Sequence, residues 1–391
     1  MRIPTDYAAG YAEARLVDAE MARNYIVHTR VGDPEADAFI ERIHEMPTEQ
    51  ALPLVTAGMD RDEEALRRAP SFVREFFDPM ETPPDWVNQA DFLPGVRMFH
   101  RNSPVVLASM LAGTLVEGFS TNIAKSFFIT GRLRDQGVRR LKQNNRHMVE
   151  IFMPGGMERQ GDGWKLSVRI RILHAQIRSL LANSDDWDEE AWGLPVSAAH
   201  LGFAIVAFSA RLLKHMKNLG ATYTDEERAG FMAVWRYTGH LMGIPDPILY
   251  TDEEEALKVF EIGRLCEPEP DFESIAMANA LINSGPLLVD MTDPKVRQNF
   301  ANYVFRVSRA LIGRTLSDQL NYPATPLVGV LPWFRMQRRY QRFTARYVKP
   351  LAKQNNNFTA FTSLLQVSVF DEAGISYRLP DHVYAEESSR W

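Results

Sequence analysis

Leu166-Ser167-Val168-Arg169-Ile170-Arg171-Ile172-Leu173-His174-Ala175-Gln176-Ile177-Arg178-Ser179-Leu180-Leu181 reads as successive turns of one helix. Leu166, Ile170, Leu173, His174, Ile177 and Leu181 recur at steps of three and four, the spacing at which α-helical side chains share a face. Arg169, Gln176 and Ser179 fall on other faces. His174 therefore points inward with the aliphatic residues. An imidazole in a dry helical interior is either a hydrogen-bonded core histidine or a metal ligand, and the local pattern leaves both open.

The same period governs the rest of the chain. Thr224-Asp225-Glu226-Glu227 has the form of a capping box, which predicts a helix running to about Met242, with Gly243 as its stop and Pro245 beyond. Thr251-Asp252-Glu253-Glu254 repeats that opening. Asp293-Pro294 starts a helix reaching about Ile312, because a proline at the first helical position loses no needed N–H. Ser197 precedes a segment, 199–219, that is apolar nearly all round in its first half and closes with Gly220. A helix without a polar face is a buried one. Period-two patterns are few, at 366–370 and 375–379. The reading is an all-α protein: one large globin-like helical domain with extra terminal helices and at most a small late β-hairpin. Residues 1–70 form an N-terminal helical extension, 71–325 the helical core, and 326–391 a basic helix and tail packing on it. The connections are the proline-rich 78–94 with Trp86, the glycine-rich 154–163, and the break at Pro268 and Pro270.

Composition narrows the function. A chain of 391 residues, 45% hydrophobic and 24% charged, buries a large core. With 44 basic and 50 acidic residues, its net charge of −6 gives no global attraction to nucleic acid. Cys266 is the single cysteine, which excludes an intramolecular disulfide and a cysteine-rich metal site. Met1-Arg2-Ile3-Pro4 leads into charged residues with no apolar run, and the most apolar stretches, 104–116 and 201–208, fall short of the roughly 18 residues a membrane span needs. The expectation is a soluble, cytoplasmic protein, secreted if a leader precedes this sequence. No His-Glu-x-x-His, Gly-x-Ser-x-Gly, Walker or Gly-x-Gly-x-x-Gly motif occurs. His200 and His215 share a helix but lie about four turns apart, too far to hold one metal. His240 sits near a helix end, where a satisfied or exposed ring is expected. In 333–349, Arg335, Arg338, Arg339, Arg342, Arg346 and Lys349 occur with no acidic residue, interleaved with Phe334, Tyr340, Phe343 and Tyr347. That stretch is either a solvated face or a docking helix for an anionic surface, and so a candidate peripheral membrane contact.

An ordered set of short motifs remains: Thr130-Gly131-Arg132-Leu133, Arg139-Arg140-Leu141-Lys142-Gln143-Asn144, Pro154-Gly155-Gly156, Val168 to Ala175, Gly193-Leu194-Pro195-Val196-Ser197, Phe208-Ser209, and Trp235 to Gly243. In this order they resemble the latex-clearing rubber oxygenases and the related MpaB-type oxygenases, helical haem b proteins. The resemblance runs from about Trp86 to Leu249 and more faintly to Pro323. It implies that His174 is the proximal axial ligand of a non-covalent haem b, with dioxygen as co-substrate. It implies a distal pair at Arg140 and Asn144, where the family's usual threonine is replaced by asparagine, and it puts Gln143 where some rubber-cleaving members carry lysine.

Three further residues are candidates beside these. Glu117 is a lone carboxylate in an apolar run; buried alone it is a raised-pKa base for an allylic proton, and paired with an arginine it is structural. Arg171 and Arg178 bracket His174 at minus three and plus four, where each is either a haem-propionate partner or solvent-exposed. The activity implied is oxidative cleavage of a carbon–carbon double bond in a hydrophobic isoprenoid, of smaller size than a solid polymer if the enzyme stays in the cell. A haem peroxidase or peroxygenase, a non-catalytic haem- or lipid-binding helical protein, and a haem-free pocket with a structural His174 stay open.

Overall fold

The computed structural model describes residues 1–130, 132–288 and 291–347, and every regular element among them is helical. The expected hairpin at 366–379 and the tail beyond 347 lie outside the described residues.

The predicted caps set the frame. Thr224 accepts from the Glu227 amide at 3.2 Å while the Glu227 carboxylate accepts from the Thr224 amide at 2.9 Å, and the helix they open is Asp225–Leu241. Asp293 caps Pro294–Ile312, and Ser197 caps Ala198–Val206. The second box is shifted by one residue. Asp252, not Thr251, caps Glu253–Cys266 by accepting from the Glu255 amide at 2.9 Å, because a carboxylate is the stronger acceptor for a free first-turn N–H. Thr251 donates both its N–H and its hydroxyl to Glu255 instead.

Two long helices depart from the regular period. Phe92–Ser109 passes through a π-helical turn, Met110–Thr114, into Leu115–Phe119. Ala198–Val206 passes through another, Ala207–Arg211, into Leu212–Asn218. A π turn holds one extra residue and re-aims the side chains around it, and such turns concentrate at functional sites. The two turns meet: the Thr114 hydroxyl donates to the Ala207 carbonyl at 3.3 Å. Gly113 permits the approach, since a Cβ there would lie 2.5 Å from His215 Cδ2.

The helix carrying His174 is Asp162–Ala182, and it packs back on Arg132–Ile151 across the glycine-rich connection. The N-terminal helices are not a separate layer. Ala8–Val17 and Ala19–His28 pack on Glu253–Cys266, Pro34–His44 packs on the His174 helix, and one hydrophobic cluster runs from Tyr7 to Val330. Among the described residues no single helix is long and apolar enough to cross a membrane; Val105–Phe119 with Ile123–Ile129 reaches that length and composition only together, bent by 95°.

Candidate functional site

The two π turns, the His174 helix and the helix Arg132–Ile151 surround a cavity of about 140 Å³. Its wall is mostly apolar: Leu115, Phe119, Ile170, Leu201, Ile205, Phe208, Trp235 and Met242 contribute, with Phe208 stacked on Trp235 at 5.4 Å. Four polar side chains interrupt it, Thr114, Asn144, His147 and His174. His174 is half-buried, its stripe neighbour Ile170 is on the same wall, and the helical phase read from the sequence is the one observed.

His147 is the residue that the sequence pattern did not single out. It lies three residues beyond Asn144 on the same helix, so both present one face to the cavity. Its Nε2 is 3.0 Å from the Ser167 hydroxyl, which donates onward to the Gly163 carbonyl at 2.7 Å. Ser167 has one proton and has used it, so His147 Nε2 carries the hydrogen and Nδ1 keeps its lone pair. Burial pushes the imidazole down to about 3, and it stays neutral through the physiological range. A spacing rule applied outward from Asn144 would have found it; nine histidines without a metal-ligand spacing hid it.

The other expected residues divide. Asn144 is on the cavity wall. Gln143 is buried and does not line the cavity. Arg140 falls on the same helix, and its side chain lies outside the described residues. Glu117 is buried, but as the centre of an ion cluster rather than alone. Arg211 Nε donates to it at 3.0 Å, Arg211 Nη2 also donates, and His215 Nε2 stands 3.1 Å away. Burial alone would raise its pKa, yet His215 and Arg211 outweigh desolvation and hold the carboxyl at about 2. The structural alternative for Glu117 is the one this geometry matches, and the raised-pKa base is not.

Arg171 and Arg178 are both buried, which removes the solvent-exposed alternative. Arg171 makes a two-pronged pair with Asp33, 2.6 and 2.8 Å, and reaches Glu35 at 2.7 Å. Arg178 donates to Asp37 at 2.8 Å and to the Val196 carbonyl. These carboxylates cap and open the helix Pro34–His44, so both arginines clamp an N-terminal helix to the His174 helix. Gln176, read as lying off the apolar stripe, is buried as well and meets His44 Nε2 at 2.7 Å. His240 is half-buried, edge-on to Trp86 at 5.8 Å. Among the described residues, no three His, Cys, Asp or Glu side chains converge as a metal-ion site.

The family of the ER-bound oxygenase mpaB/B′ and rubber oxygenase, catalytic domain, matches residues 97–348, which contain the cavity. The rubber oxygenase of Streptomyces sp. (strain K30) is 20% identical over 224 residues, 55% of this chain and 54% of that protein. The chain therefore matches about half the length of this curated relative. The structure of latex clearing protein in the closed state is similar in fold, with a TM-score of 0.58 at 17% identity over 90% of this chain and 95% of that one.

Proposed function

The chain belongs to the family of the ER-bound oxygenase mpaB/B′ and rubber oxygenase catalytic domains, and from that premise we propose a haem b-dependent oxygenase that cleaves a carbon–carbon double bond of a hydrophobic, isoprenoid-type substrate. The observation that carries this reading is one imidazole, His174, on the wall of an apolar cavity whose other polar groups are Asn144, His147 and Thr114. The donor set fits the group: a porphyrin brings its own four nitrogens and asks the chain for one imidazole in an apolar surround. Bound there, haem b would supply the dioxygen binding and redox chemistry that no side chain offers.

The chain's own residues supply the rest. His174 would hold the haem iron, and Ile170, Leu201 and Ile205 would make the surrounding wall apolar. Asn144 offers an amide N–H, a donor for a polar oxygen in an otherwise dry space. His147, neutral and fixed by Ser167, offers a lone pair; with a pKa of about 3 it accepts a hydrogen bond at neutral pH rather than a proton. Leu115, Phe119 and Phe208 provide an apolar bed suited to hydrocarbon.

An absorption spectrum tests the proposal. The purified protein, supplemented with haem, is expected to show a Soret band that His174→Ala weakens and shifts. No band after supplementation, or an unchanged band in the variant, overturns the assignment of His174. Oxygen consumption with a panel of polyprenyl compounds, yielding aldehyde or ketone products, is the expected activity. Haem binding without turnover on any of them overturns the reaction and leaves the site.

A further inference from the structure

The helix Val330–Tyr347 carries a feature for which the cavity has no use. Trp333, Met336, Tyr340, Phe343 and Tyr347 recur at steps of three and four and so form one stripe. All five face solvent, at 58, 53, 63, 58 and 64% exposure. The side turned to the protein is a different one, made by Phe334, Arg338, Gln341 and Thr344. Five large apolar side chains aligned in water are more than scattered surface residues, which need no explanation.

The flank of the stripe is equally one-sided. Arg335, Arg339 and Arg342 lie along it, and no Asp or Glu occurs from 330 to 347 in a chain whose net charge is −6. Arg342 ties the helix to the body through the Thr222 hydroxyl at 3.1 Å and the Gly220 carbonyl at 3.3 Å.

We propose that this helix docks on an anionic lipid bilayer, lying in the interface plane with its aromatic stripe at the boundary between headgroups and acyl chains and its arginines on the phosphates. Trp, Tyr and Phe with flanking arginine is the composition that this boundary favours: amphipathic rings sit at headgroup depth while guanidinium groups stay in water. Charge argues for lipid over a second copy of the chain. Two such helices facing each other would set arginine against arginine with no carboxylate to pair. The whole molecule is acidic, so attraction to a negative surface is local to this helix and orients the protein on it.

The test uses the full chain with phosphatidylcholine vesicles and with mixed phosphatidylcholine–phosphatidylglycerol vesicles, read by flotation and by the Trp fluorescence difference between wild type and Trp333→Phe. Association with the mixed vesicles alone, a blue-shifted Trp333 contribution, and loss of binding as salt is raised are expected. Arg335→Glu with Arg339→Glu should weaken binding by about tenfold, and Trp333→Ser with Phe343→Ser by at least as much. All four positions are exposed, so the melting temperature should not move. No flotation, equal binding by the stripe variant, or preferential retention on an oligonucleotide overturns the proposal. So does a concentration-dependent dimer that Trp333→Ser and Phe343→Ser abolish, or a Trp333 shielded from a soluble quencher in the free protein, since either shows the stripe already covered.

Discussion

At the scale of single residues, the contrast between His174 and Glu117 shows which placements a sequence reveals. His174 was legible because its neighbours repeat with the helical period, and that period alone fixes the direction it faces. Glu117 was not legible, because its partners, Arg211 and His215, lie 94 and 98 residues away. The same holds for Arg171 and Arg178, paired with acids 138 and 141 residues distant. The resulting expectation for Glu117 is specific. Its folded pKa of about 2 lies below the ordinary carboxylate value of 4.5, so its contribution to stability is present above pH 4.5 and lost as pH falls toward 2. Glu117→Gln leaves the half-buried Arg211 and the buried His215 against a neutral partner and should cost about 3 kcal/mol in denaturant unfolding at pH 7. A base lost from an intact site would abolish turnover with the unfolding midpoint unchanged, and that result would return Glu117 to the chemistry.

Helices were read well where polar caps punctuate them and poorly where nothing does. Thr224, Asp293 and Ser197 announced their helices because a side-chain acceptor must meet free first-turn amides. The π turns left no trace, since Met110–Thr114 lies within an apolar run and Ala207–Arg211 follows one, so one extra residue per turn interrupts no polar period there. Gly243, at the end of Asp225–Leu241, was read as a stop, and it is also a contact. Its φ is +74°, and a Cβ would lie 2.0 Å from Asp33 Oδ2 and 2.6 Å from Arg171 Nε. Gly313, φ +90°, ends another helix with nothing within 4 Å of the same position. Gly313→Ala should therefore cost only backbone strain, about 2–3 kcal/mol at φ 90° and ψ 167°, whereas Gly243→Ala adds disruption of the buried Asp33–Arg171 pair and should cost about 3 kcal/mol beyond its own strain. Equal losses in urea melts would mean that the clamp contributes nothing beyond helix termination.

For the whole molecule, one buried cluster joins five segments. Glu267 accepts from the Tyr25 hydroxyl at 2.6 Å and the Asn122 amide at 2.9 Å, while Tyr7 and His200 Nε2 meet at 2.9 Å with His200 3.6 Å from Glu267. Tyr7 and Tyr25 come from the N-terminal helices, so this buried polar contact is part of what unites them with the core. Burial raises Glu267 to about 7 and lowers His200 to about 4. The signs oppose. A carboxyl raised above its unfolded value contributes stability that is complete below pH 4.5 and lost as pH rises through 7. His200, like His147 at about 3, contributes stability present above pH 6.5 and lost as pH falls. Between pH 6 and 8 the ionisation of Glu267 should cost about 1.4 kcal/mol, and the two histidines should return about as much, which leaves wild-type stability nearly level. Glu267→Gln leaves the histidines unopposed, so its unfolding free energy should climb by about 1.4 kcal/mol relative to wild type over that interval. Parallel pH profiles for the two proteins in denaturant titrations would mean that Glu267 titrates in the ordinary carboxylate range and that the junction with the N-terminal helices is insensitive to neutral pH.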